Sequence, residues 1–244
     1  MMTDNMKPFY AIYQTLYNLY GPQGWWPQTG YAGSNPTKRG ATNGYHPKRY
    51  DFPQNIDQVF EVCLGSILTQ NTNFIAVEKA LINLVNLKAL TPEAILALDY
   101  DNFKQAIRPA GYYNQKSRYI REFIPFFLKL NGGVPSREGL LSCVGIGPET
   151  ADSILLYGYK QPQFKVDAYT TRIFHQLELI PENAKYDDIK VAVETELSNI
   201  VKGEKLVIIY QEFHALIVEH AKRFYSKKPY AEECPLPPNK KHSS

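Results

Sequence analysis

The sequence predicts an all-α protein of about nine to eleven helices, given ordinary helix lengths. Three observations carry this. Apolar residues recur at helical spacing in one segment after another. No alternating strand pattern of useful length occurs anywhere in the 244 residues. Helix starts are signalled by a capping residue followed by Pro, as at Thr91-Pro92 and Gly147-Pro148.

In chain order, Phe9, Ile12, Tyr13, Leu16, Leu19 and Tyr20 form the first apolar face, and Gly21-Pro22 stops it. Trp25-Trp26-Pro27 follows. From Gln28 to Pro53 the chain turns to Gly, Asn, Pro, Tyr and basic residues without a period. Structureless segments of that length are uncommon inside compact domains and are usually functional or mobile, so its role is left open. Asp57 is a candidate cap for a helix with Phe60, Cys63, Leu64, Ile67 and Leu68 as its stripe, ending at Thr69-Gln70-Asn71-Thr72. Phe74, Val77, Leu81 and Leu84 mark the next helix, and Thr91-Pro92 opens a third. A helix over Phe103 to Ile107, a break at Arg108-Pro109-Ala110-Gly111, and a helix over Lys116 to Leu130 follow. Later helices are expected near Asp188 to Val201 and Glu204 to Tyr225.

Composition excludes some classes. With 44% hydrophobic and 21% charged residues, the chain suits a globular protein and not a disordered one. No run approaches the eighteen or so apolar residues of a membrane span, and Met1-Met2-Thr3-Asp4 lacks the pattern of a secretory signal, so no membrane partner and an intracellular location are expected. Cys63, Cys143 and Cys234 have no paired spacing, which argues against a disulfide framework. The net charge of +3 is too small to argue for nucleic acid alone. Basic residues cluster, however, at Lys38, Arg39, Lys48 and Arg49 and at Lys222, Arg223, Lys227, Lys228, Lys240 and Lys241.

The most informative stretch is Leu140 to Phe174. Leu140, Leu141 and Val144 suit a short helix, Val144-Gly145-Ile146-Gly147 a tight turn, and Pro148 the start of a helix packed through Ala151, Ile154, Leu155 and Gly158. This is a helix-hairpin-helix. Its glycines and the free N–H groups at the second helix start suit a phosphate of a nucleic-acid backbone. A bare tight turn between helices would look the same. Asp167, before Ala168-Tyr169-Thr170, has the form of an N-cap.

VGIGPETADSILLY followed by VDAYTTRIF resembles the active-site segment of the endonuclease III superfamily of DNA glycosylases. The resemblance implies a catalytic role for Asp167 and DNA-backbone binding by Gly145, Gly147, Glu149 and Thr150. Bifunctional members carry a catalytic lysine where this chain has Glu149, eighteen residues before Asp167, the family's own separation. Capping and catalysis are compatible, since a carboxylate held at a helix start stays ionised beside a sugar that becomes cationic. The implied architecture is two helical domains, one of residues 56–162 carrying the hairpin, the other of 1–55 plus 163–244, with DNA and the flipped base in the cleft between them.

ILTQNTNF, Ile67 to Phe74, extends the resemblance. Gln70 matches the family residue that fills the space left by the extruded nucleotide, and Tyr112 in RPAGYYNQK matches a second wedge; helix capping and loop packing are the alternative roles. Trp25-Trp26-Pro27 and Phe74 look most like the branch typified by 3-methyladenine DNA glycosylase III, whose aromatics stack on an alkylated, cationic base. Core packing of both tryptophans is the alternative. Many members bind an iron-sulfur cluster through a C-x6-C-x2-C-x5-C run, which aligns here with Tyr225, Ala231, Cys234 and Lys240, the first spacing being one residue shorter. With one thiol left, no cluster is expected; the resemblance leaves room for a monovalent cation at the hairpin. The expectation is a monomeric, monofunctional glycosylase acting on double-stranded DNA with a damaged, alkylated base. A glycosylase for an oxidised, deaminated or mismatched base, and a non-catalytic DNA-binding protein, are the alternatives.

Overall fold

The computed structural model describes residues 7–37, 43–228, 230 and 233–236. Lys38, Arg39, Ala231, Lys240 and Lys241, singled out in the sequence, lie outside them. Among the described residues the secondary structure is helical, apart from one isolated bridge between Ser34 and Asn43. No helix there is long and apolar enough to cross a membrane. The chain divides into two compact units, one from Gly24 to Gln161, the other made of the residues up to Gln23 and from Pro162 onward.

The first unit is built around α2 (Ile56–Leu68), in which every residue from Phe60 to Leu68 is buried. A helix buried on all sides needs neighbours on all sides. α3 (Phe74–Asn86), α6 (Tyr113–Lys129), α8 (Pro148–Ser153) and the π-helical turns that continue α8 over Ile154–Gly158 supply them. Phe60 meets Phe127 of α6 with ring centroids 5.1 Å apart. α4 (Pro92–Ala97), α5 (Tyr100–Ile107) and α7 (Arg137–Leu141) complete the unit. Thr91 caps α4 as its sequence predicts, accepting from the Ala94 N–H. The cap of α2 is Asn55 and not Asp57: Asn55 is extended, with φ −149°, and accepts from the Gln58 N–H. Asp57 lies one residue inside the helix, where it faces the positive end of the dipole.

Residues 24–55 belong to this unit, whereas the sequence reading placed them with the termini. The physical reason is a set of polar ties. Thr29 N–H donates to Glu61 of α2 at 2.6 Å. His46 lies with its two ring nitrogens 2.8 Å from the carbonyls of Trp26 and Arg49. Lys160 Nζ donates to the Asp51 carbonyl at 2.7 Å.

The second unit is organised around α11 (Glu204–Phe224), which packs against α1 (Pro8–Tyr20) and α9 (Ala168–Gln176). α10 (Tyr186–Ile200) packs on α1. Phe213 of α11 meets Phe164 and Phe174, and Phe174 meets Phe9 at 5.0 Å. The Gln23 N–H donates to the buried Glu212 of α11 at 2.7 Å. All three cysteines are free, and burial pushes the Cys63 thiol far above its usual value.

Candidate active site

In the hairpin, Gly145 has φ +81°, and a Cβ there would enter the Tyr119 ring. This glycine is dictated by the fold. Gly147 caps α8 in an extended conformation, and a Cβ on it would meet nothing within 4 Å. Its openness leaves the N–H groups of the helix start accessible to an anion. Ser136 caps α7 by accepting from the Gly139 N–H. α7 and α8 are clamped by Arg137, whose Nε and Nη2 donate to the two carboxylate oxygens of the fully buried Asp152 at 2.9 and 3.2 Å. Glu149 is exposed at the first turn of α8. Val144, read as part of a packed face, is instead 50% exposed, because the chain has left α7 and turns outward there.

Gln70 does not project from its loop. Its Nε2 donates to the Gly145 carbonyl at 2.8 Å and to Thr150 Oγ1 at 3.0 Å, so the α2–α3 connection is tied to the hairpin. The Thr150 side chain is thereby buried and occupied. Tyr112 takes the opposite course: it is 66% exposed, in the left-handed region at φ +47°, immediately before α6. Packing in the loop does not explain that exposure. Lys116, buried in α6, was not legible as a site residue. Its Nζ donates to the carbonyls of Leu68 and Ala110 at 2.8 Å each, two residues before Gln70 and Tyr112 respectively. Burial pulls its ammonium down to about 8.

Trp25, Trp26 and Phe74 do come together. Phe74 lies 5.6 Å from Trp25 and 5.5 Å from Trp26, and Tyr45 and Tyr157, which sequence reading missed, extend the cluster. Trp26 is 2% exposed and lies against Gly65 of α2, so packing accounts for it. Trp25 is half-buried.

In the second unit, Asp167 caps α9. Its Oδ1 accepts from the Thr170 N–H at 2.8 Å and the Thr170 hydroxyl at 2.9 Å, and its Oδ2 accepts from Nε2 of His214 at 3.2 Å. Burial alone would raise this carboxyl. The His214 ring, the Lys165 charge and the Thr170 N–H outweigh burial and hold it far below the usual carboxylate range. The group is therefore ionised yet largely shielded, with a side chain 12% exposed. His214 was missed because α11 is buried around most of its circumference, so periodicity did not distinguish it. Near the end of the chain, Cys234 Sγ lies 3.2 Å from His220 Nε2 and 3.7 Å from the Tyr225 hydroxyl.

Residues 64–199 match the family described as HhH-GPD superfamily base excision DNA repair protein. The chain is 37% identical to a "Putative DNA repair glycosylase" of Methanocaldococcus jannaschii, with 97% of each covered. It is 31% identical to endonuclease III of Sulfolobus acidocaldarius over 72% of this chain and 78% of that one. Among solved structures it is similar to the 3-methyladenine DNA glycosylase MagIII of H. pylori bound to 1,N6-ethenoadenine, at 26% identity and TM-score 0.66, covering 88% of this chain and 97% of that one. With an all-helical fold, a hairpin at Gly145–Pro148 and a capping aspartate at 167, the chain belongs to the HhH-GPD superfamily of base excision DNA repair proteins, the endonuclease III superfamily.

Proposed function

We propose that the protein is a monofunctional DNA glycosylase that acts as a monomer on double-stranded DNA and hydrolyses the N-glycosidic bond of an alkylated purine, of the 3-methyladenine kind, flipped out of the duplex. The observation that carries this is Asp167, kept ionised by His214 and Thr170 at the place where the family has its aspartate. Glycosidic cleavage passes through an oxocarbenium-like state, and a shielded carboxylate stabilises that cation or orients the attacking water. A base made cationic by ring alkylation is already a good leaving group, so one carboxylate suffices. Stacking on Trp25 and Phe74 suits a cationic ring. The hairpin at Gly147 takes a backbone phosphate, and Tyr112 acts as the wedge, a role its exposure supports. Gln70 would have to leave the hairpin to act as a second one.

The proposal includes no iron-sulfur cluster. Three of the four ligand positions hold Tyr225, Ala231 and Lys240, and Cys234 is in contact with His220 and Tyr225, so the residues present do not fit a four-thiolate site. Purified protein should be colourless and free of stoichiometric iron.

The test is single-turnover base release from duplexes that each carry one lesion, alkylated, oxidised, deaminated or mismatched. The expected result is fast release from the alkylated-purine duplex. Release from an oxidised or deaminated base alone would replace the substrate assignment, and binding without release from any duplex would leave a non-catalytic DNA-binding protein.

A further inference from the structure

Two loops of the first unit meet on one buried ammonium. Lys116 of α6 is 2% exposed, and its Nζ donates at 2.8 Å to each of two carbonyls. One belongs to Leu68, the last residue of α2, and the other to Ala110, the last residue of the short helical turn Arg108–Ala110. Helix ends leave such carbonyls without partners of their own. Among the described residues no carboxylate offsets the charge, and burial lowers the ammonium unopposed. An apolar side chain would fill the same space without the cost of burying a charge, so the ammonium is explained by what it holds and not by stability.

It holds a strained bend. Gly111 and Tyr112, between Ala110 and α6, both have positive φ, at +69° and +47°. Glycine adopts that region freely, whereas a bulky L-residue persists in it only where its surroundings over-determine it. Tyr112 is the only aromatic residue in that region among the described residues. Lys116 grips the bend at both ends, because its main-chain N–H donates to the Tyr112 carbonyl at 2.9 Å while its Nζ takes that of Ala110. The Tyr112 side chain is too exposed, at 66%, for its own packing to maintain the conformation. The second bond of the same ammonium fixes the end of α2, two residues before Gln70.

We propose that Lys116 is a positioning residue for duplex opening. It holds Tyr112 in the left-handed conformation and fixes the spacing between its loop and the Gln70 loop, so that the gap left by an extruded nucleotide meets a side chain already in place. The proposal rests on the glycosylase reading above and adds to it a residue that acts through another. A side chain ordered before binding loses less freedom on insertion, which offsets part of the free energy of unstacking.

The experiment is a double-mutant cycle of Lys116→Met and Tyr112→Ala. It is read by single-turnover release from an alkylated-purine duplex and by the fluorescence of a 2-aminopurine placed beside the lesion, which rises as the stack opens. Lys116→Met keeps an unbranched chain in the buried site and removes the donors, and Tyr112→Ala changes an exposed position. Each should slow release by about tenfold and reduce the 2-aminopurine rise, and the double variant should be no slower than the slower single, because Lys116 acts through Tyr112. A purely structural loss would slow release with or without the Tyr112 ring and would not show this dependence. Lys116→Gln, which keeps an N–H donor for one carbonyl, goes through the same cycle if Lys116→Met does not fold. Additive losses, or a wild-type rate in the Lys116 variant, would overturn the positioning role and leave the glycosylase standing. A 2-aminopurine rise that needs both residues, without release from any duplex, would uphold the positioning role and sink the glycosylase. Neither rise nor release with the wild type would overturn both.

Discussion

His214 Nε2 lies 3.2 Å from Asp167 Oδ2, and the two side chains are 1% and 12% exposed. A carboxylate so placed is ionised by its partners against the pull of burial. Asp167→Asn keeps the size and the cap on Thr170 but removes the charge. We expect DNA binding to be retained and single-turnover base release to fall at least about a hundredfold. A near wild-type rate would remove Asp167 from the chemistry. The folded carboxyl titrates below its unfolded value of about 3.9, so its contribution to stability is complete above that pH and is lost as the pH falls further. His214→Gln should move the acid limb of the pH–rate profile upward, because a principal group lowering the Asp167 carboxyl is gone. An unmoved profile would show that His214 only packs.

The two hairpin glycines should separate fold from binding. Gly145→Ala meets both the positive φ and the Tyr119 ring, so it should lower stability by more than about 1 kcal/mol in chemical denaturation. Gly147→Ala has open space and an allowed backbone, so stability should be unchanged. If a phosphate approaches there, the added methyl will weaken duplex binding. Equal affinity of Gly147→Ala and wild type for duplex DNA would mean that the backbone contact lies elsewhere.

What could be read in advance follows from which signals are local. The Phe9, Ile12 and Leu16 face of α1, the cap at Thr91 and the cap at Asp167 are set by residue type and spacing within one turn, and the chain itself displays both, whereas Leu19, assigned to the same face, is exposed. Asn55 and Asp57 are both good caps, and the choice between them depends on which residue is extended, a property fixed by the incoming chain. The pairing of Asp167 with His214 spans 47 residues, and the ties from Lys116 to Leu68 and from Gln70 to Gly145 span 48 and 75. Such contacts leave no trace in periodicity. Nor does the burial of Gln28, in a segment that has no period at all.

Strand cleavage tests the role of Glu149. A Schiff-base mechanism needs an amine, and the carboxylate at the exposed first turn of α8 cannot form an imine. The product should be an intact strand with an abasic site, cut only after alkali, and borohydride should trap no covalent complex. Glu149→Lys should introduce trapping if the geometry follows that of the bifunctional enzymes. Efficient trapping by the unmodified protein, abolished by changing Lys165 or another lysine, would establish lyase chemistry through a different nucleophile.

Glu61 provides a pH signature for the tie between α2 and the segment at Thr29. It lies in the buried run of α2, accepts from the Thr29 N–H, and burial raises its carboxyl to about 7 from an ordinary 4.5. Between those values the folded state holds a proton that the unfolded state has released. Stability therefore falls as the pH rises from about 4.5 to 7 and is level above, with a penalty on the order of 3 kcal/mol. Glu61→Gln keeps an acceptor for Thr29 and has nothing to ionise. Its denaturation midpoint should exceed that of wild type at pH 8, by about 1–3 kcal/mol in stability, and the difference should shrink toward pH 5. The same advantage at pH 5 and pH 8 would mean that Glu61 does not titrate in this window.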